Sequence, residues 1–146
     1  MQSFSGLPSE QDLVRLKPLL SSRLHAQFLD TLDYETQWIA RHPDEPSTTG
    51  GPPTIYKPPF ADSGYFVGSP DGSGQFVVSR TVRDQDARWF VFLQSLPQPG
   101  MSPWRVAVVV ILEDHRYVID DVLYEPADDG SARGSLSHYL SYREED

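Results

Sequence analysis

A chain of 146 residues is the size of one domain and can bury about two-thirds of its unfolded surface. With 38% hydrophobic and 12% aromatic residues it has material for a real core, which argues against global disorder. Its 21 acidic and 12 basic residues leave a formal charge of −9, which opposes a phosphate backbone and favours a basic partner.

The opening "MQSFSGLPSEQD" has neither a basic nor an apolar leader region, and no run of roughly 18 apolar residues follows. As given, the expectation is a cytoplasmic protein without a membrane span; removal of a leader would place it in the periplasm. In "PSEQDLVRLKPLL", Ser9 is an N-cap and Leu13, Leu16 and Leu20 fall at helical spacing, with Pro18 ending or bending the helix. A second helix is predicted from Ser21 or Ser22 to about Arg41, with Leu24, Phe28, Leu32, Glu35 and Ile39 on one stripe. Residues 43–63, "PDEPSTTGGPPTIYKPPFADS", hold six of the thirteen prolines and read as a long irregular loop. It is either a surface loop or a partner-contacting arm, and Ile55, Tyr56 and Phe60 are expected to pin part of it.

From there the pattern changes to strands. "YFVGS" and "PDGSG" read as a short strand and a turn, followed by the strands "QFVVSRTVRD" and "RWFVFLQSL". "WRVAVVVIL", residues 104–112, is apolar on both faces and is expected to be a central strand covered on both sides. "EDH" is a tight turn, and "RYVIDDVLY" returns as the paired strand. "SLSHYLSYREED" is expected to hold a short terminal helix with Leu136, Tyr139 and Leu140 as its contacts. Segregated helices and strands define an α+β class, a single domain over 1–146 with a curved antiparallel sheet of four to five strands packed on N-terminal helices.

Asp120 and Asp121 interrupt an otherwise apolar strand. Neighbours in a strand point to opposite faces, and an unpaired buried carboxylate costs several kcal/mol. One reading has an aspartate pair with Arg23, Arg80 or Arg105, or cap the start of the second helix, fixing the docking of the last strand. The other makes Asp120 or Asp121 the general base or polar group of a pocket.

Chemistry elsewhere is sparse. The chain has no cysteine, hence no disulfide, zinc-thiolate site or thiol nucleophile, and no cofactor motif; His25, His42, His115 and His138 are scattered without metal spacing. There is no Gly-x-Ser-x-Gly elbow, and "GSPDGSG" lacks the Walker lysine. Tyr34, Trp38, Tyr65, Trp89, Trp104 and Tyr124 are candidates to line a pocket, or else core aromatics.

The stretch "VILEDHRYVIDDVLYEP" with "GSL" and "YL" beyond it resembles the hairpin ending of bacterial DUF3828-type proteins, members of the NTF2-like superfamily. Asp114, Arg116, Tyr117, Asp120, Asp121, Val122 and Tyr124 carry the likeness, and "LKPLLSSRL" is similar to that family's helical start. His115 stands where the family turn has glycine. The resemblance implies an NTF2-like cone, a curved sheet closed around a helix, in a superfamily of isomerases, dehydratases, ligand carriers and non-catalytic binding modules, and it implies homodimerisation through a sheet face as one option. Two functions follow. The first is a non-catalytic bacterial interaction module, most concretely an immunity protein that occludes a secreted toxin. Asp44, Glu45, Tyr56, Phe60, Asp84 and Asp86 are its partner-binding candidates. The second is a pocket protein that binds or transforms a small apolar molecule through Asp120 or Asp121.

Overall fold

A computed structural model describes residues 6–61, 64, 66, 75–84, 86–100 and 102–144. The order is α1 (Glu10–Leu16), a 3-10 turn (Lys17–Leu19), α2 (Ser22–Arg41), β1 (Phe76–Arg83), β2 (Arg88–Ser95), β3 (Arg105–Glu113), β4 (Arg116–Tyr124), β5 (Gly134–Ser135) and α3 (Leu136–Leu140). The five strands form one antiparallel, curved and unclosed sheet in the order β1-β2-β3-β4-β5. The α+β class and the helix-on-sheet arrangement are as the sequence predicts. The expected strand and turn at 65–74 lie outside the described residues apart from Phe66. Among the described residues the fifth strand is Gly134–Ser135, at the end of a segment read as a polar loop.

The helices start where the capping chemistry places them. Ser9 and Asp12 form a capping box on α1, and the Ser21 hydroxyl accepts the Leu24 N–H at 3.1 Å. Pro18 tightens the chain into the 3-10 turn, after which Leu20 is extended (φ −102°, ψ 148°). That extension lets Leu20 bridge in parallel to Ile119, and the Ser21 N–H donates to the Ile119 carbonyl at 2.8 Å. The edge of β4 is therefore partly paired by the chain that leads into α2.

One core joins all layers: Leu13 from α1, Leu20, Leu24 and Phe28 around α2, Val106 from β3, Val122 from β4, Leu136 and Leu140 from α3, and Phe60 from the proline-rich loop. Leu32 and Trp104 pack against it. The hairpin of β3 and β4 thus lies antiparallel over the helix that carries Phe28 and Leu32. Two details of α2 differ from the expected stripe. Ile39 is 49% exposed, while Thr31 is fully buried and donates its hydroxyl to the Gln27 and Leu140 carbonyls. The last turns of α2 therefore face solvent at Ile39 and the C-terminal segment at Trp38.

Strand β3 is covered on both sides only in its first half, where Val106, Ala107 and Val109 are buried, whereas Leu112 is 49% exposed. One face there meets the helices. The other meets the 125–133 loop, in which Gly130 lies against the Phe90 ring and Asp128 accepts from Arg80 and Arg105. Arg80 also lies over the Phe92 ring, 4.3 Å from its centroid.

Two of the hairpins turn through left-handed backbone at residues other than glycine. Asp114 (φ 48°) and His115 (φ 64°) make the two-residue turn between β3 and β4, and Asp86 (φ 63°) and Ala87 (φ 59°) precede β2. His115 therefore adopts the conformation that a glycine would supply, at a cost of roughly 1–2 kcal/mol in the left-handed region. His115→Gly is expected to raise the melting temperature by about 3 °C, from a gain of about 1 kcal/mol. Calorimetry that finds it unchanged or lowered would show the turn to be unstrained.

Candidate functional site

The two aspartates sit on a β-bulge. Asp121 is opposite Val109 and Ile119 is opposite Val110, so Asp120 is the extra residue on β4. The bulge interrupts the alternation of faces, and both carboxylates reach the starts of helices. Asp120 Oδ1 accepts from the Ser21 hydroxyl at 2.7 Å and from Arg23 Nε at 3.1 Å. Arg23 Nη2 also donates to the Asp120 carbonyl. Asp121 Oδ1 accepts the Ser137 N–H at 2.9 Å and the Val122 N–H at 2.8 Å. Arg23 further donates to the Ser137 hydroxyl, and Gln27 donates to the Ser137 carbonyl at 2.7 Å. The N-termini of α2 and α3 are thus tied to one point on β4, with negative charge at their positive ends. Arg23 is the partner among the three arginines named from sequence; Arg80 and Arg105 go to Asp128.

These bonds predict a graded loss. Asp120→Ala removes two charge-assisted bonds and leaves the Ser21 hydroxyl without its acceptor, for a cost of roughly 2 kcal/mol. Asp121→Ala removes a cap of a short helix and should cost about 1 kcal/mol. If both variants melt like the parent chain, the aspartates do not hold the helices.

The aromatic candidates do not converge. Trp38 donates to Glu144 at 2.7 Å and stacks on His42, and the Tyr34 hydroxyl accepts the Glu144 N–H at 2.9 Å. Both therefore hold the C-terminal segment on the second half of α2. Trp104 and Tyr124 pack against the core. Trp89 stands at the opposite end of the sheet, edge-on to Tyr117 with centroids 5.2 Å apart. Tyr65 lies outside the described residues.

The partner-binding candidates also divide. Glu45 bridges to Thr54 through its backbone and accepts from the Tyr56 hydroxyl at 3.0 Å, with exposed Asp44 beside it, just beyond α2. Ile55 is 71% exposed and Tyr56 37%, so of the three expected pins only Phe60 enters the core. At 1% exposure Phe60 is not available to a partner, which corrects its place among the surface candidates. Asp84, which accepts from Arg88 at 2.8 Å, and Asp86 occupy the β1–β2 turn. That turn lies at the end of the sheet where Glu113 accepts from the Ser22 N–H and hydroxyl, next to the start of α2. The two groups sit at opposite ends of α2.

A concavity of about 580 Å³ opens near that end, between the first helical segment and the β3–β4 turn, lined by Lys17, His25, Glu113, Arg116 and Val118 among others. Asp120, Asp121 and the described aromatic candidates do not line it. Among the described residues, no group of three or more His, Asp or Glu side chains could hold a metal ion.

Sequence reasoning singled out Glu35 only as a helix-stripe residue. Its Oε2 is buried with no hydrogen-bond partner among the described residues, and burial pushes its carboxyl up from the ordinary range, while a bond from the Phe60 backbone N–H opposes that rise. With its folded pKa above the unfolded one, Glu35 destabilises the fold as pH rises past the unfolded value, and has no effect where both states are protonated. Glu35→Gln is therefore expected to raise the melting temperature near neutral pH, with the gain fading below about pH 4. A gain that persists in acid would have another cause.

Comparisons of the chain with protein-family models, curated proteins and solved structures found no match. Among the described residues no helix is long and apolar enough to cross a membrane.

Proposed function

We propose that this protein is a non-catalytic interaction module that binds another protein. The observation that carries the reading is the employment of Asp120 and Asp121. Their Oδ1 atoms accept from Ser21, Arg23 and Ser137, the groups that hold α2 and α3 on the sheet. A carboxylate held by an arginine and a hydroxyl at a helix start is poorly placed to accept a proton from a substrate. The space between sheet and helices is filled by Phe28, Phe60, Leu24, Leu136 and Leu140. The net charge of −9 gives the module a preference for a basic partner.

The resemblance of the β3–β4 hairpin to the NTF2-like superfamily supports the most concrete form of this reading, a bacterial immunity protein that occludes a secreted toxin. Asp44, Glu45 and Tyr56 on the arm, and Asp84 and Asp86 on the β1–β2 turn, are the groups that would meet it. Affinity purification of the tagged chain from a lysate of its source cells tests the reading. Recovery of one stoichiometric protein partner is the expected result. Absence of a partner, together with a rise in melting temperature on adding small apolar molecules, would favour the pocket reading instead.

A further inference from the structure

The helices leave part of their own sheet face open. Directly paired residues share a face, so Trp89, Val110 and Ile119 lie on one side of the sheet, and Leu112 with Tyr117 continue it. Ile119 packs on the helical core, whereas Leu112 is 49% exposed and Tyr117 66%. Tyr117 stands edge-on to Trp89, and Arg83 lies over the indole, 5.8 Å from its centroid. Tryptophan, tyrosine and arginine side by side on an open face are the residue types in which binding energy concentrates. The rim beside them carries both signs of charge: Arg88 pairs with Asp84, Arg116 is exposed, and two further aspartates stand in solvent. Asp86 and Asp114 sit in adjacent turns at that end of the sheet, both in left-handed backbone and both exposed.

We infer that the Trp89–Tyr117–Leu112 face is the contact surface of the module, and that its partner is a basic protein inserting an apolar side chain beside Trp89. This rests on the interaction reading above and adds the surface and the character of the partner. A second copy of the chain fits the rim poorly, because it would bring another charge of −9 against it. A basic surface meets Asp86 and Asp114 with opposite charge while its apolar group covers Tyr117 and Leu112.

The test selects a displayed library of short random peptides on the intact chain. Enriched peptides are expected to carry net positive charge with an aromatic or leucine anchor, and to bind more weakly as salt rises. Tyr117→Ala should weaken them by about tenfold or more. Replacing Asp86 and Asp114 together by Asn, which tolerates left-handed backbone, should weaken them several-fold and flatten the salt dependence. Asp33→Asn, exposed in the second half of α2, should leave binding unchanged. Failure to enrich any peptide, enrichment of neutral or acidic ones, or binding indifferent to Tyr117→Ala overturns the assignment. So does sedimentation showing a parent dimer that Tyr117→Ala converts to monomer, which would give the face to a second copy. Peptides that respond to Tyr56→Ala instead would sink this surface and leave the interaction reading standing.

Discussion

The fold depends on how β4 receives the starts of two helices. A strand side chain normally serves one face, and two adjacent aspartates could not then serve neighbouring helices. The bulge at Asp120 removes that restriction. Asp120 takes the N-cap hydroxyl of α2, Asp121 takes a first-turn N–H of α3, and Arg23 links Asp120 to Ser137. Negative charge at two helix N-termini is favourable, and Arg23 compensates part of the charge that the strand brings inward. Each aspartate is half-buried, so solvent also moderates the cost of placing two carboxylates together.

Anchoring α2 at one end leaves some 30 Å of helix to be held elsewhere, at 1.5 Å per residue. The C-terminal segment does this. Thr31 bonds the Leu140 carbonyl, Arg143 bonds Asp30 and lies over Tyr34, and Glu144 takes the Trp38 indole N–H. Phe60 fills the space between, edge-on to Tyr34 and Tyr139, and ties the proline-rich segment to the body. The rest of the described segment from Asp44 to Lys57 is exposed or half-exposed, consistent with a chain whose prolines and glycines oppose regular pairing.

Local signals made the helices and most strands legible. Ser9, Ser21 and Ser135 are N-caps, Pro18 and Pro43 bound the helical segments, and the apolar run 104–112 became β3. The Asp120 partnership was legible in kind, since a carboxylate in an apolar strand needs a cation or a cap and Arg23 was within the candidate set. Three features were not. The bulge is a tertiary choice that leaves no mark in the alternation of "RYVIDDVLY". Two paired residues suffice for β5, too few to give a periodic pattern. Ile39 and Thr31 exchanged roles because the C-terminal segment offers Thr31 an acceptor in the Leu140 carbonyl, which helical spacing alone cannot reveal.

The open part of the sheet follows from the same anchoring. With both helix starts at β4, α2 and α3 pack on that strand, and the helical cover is centred there. On the opposite face the 125–133 loop reaches across the sheet, holding Arg105 of β3 and Arg80 of β1 through Asp128. Strand β1, nearly all exposed, is paired among the described residues by β2 alone. A regular apolar edge of that length would recruit strands from other chains, but β1 carries Arg80 and Arg83 and a register shift between Val78 and Arg80. Charge and irregular register disfavour strand addition at the backbone edge. They do not protect the side chains on the open face, where Leu112 and Tyr117 remain in solvent. A partner therefore has more to gain from covering that face than from extending the sheet.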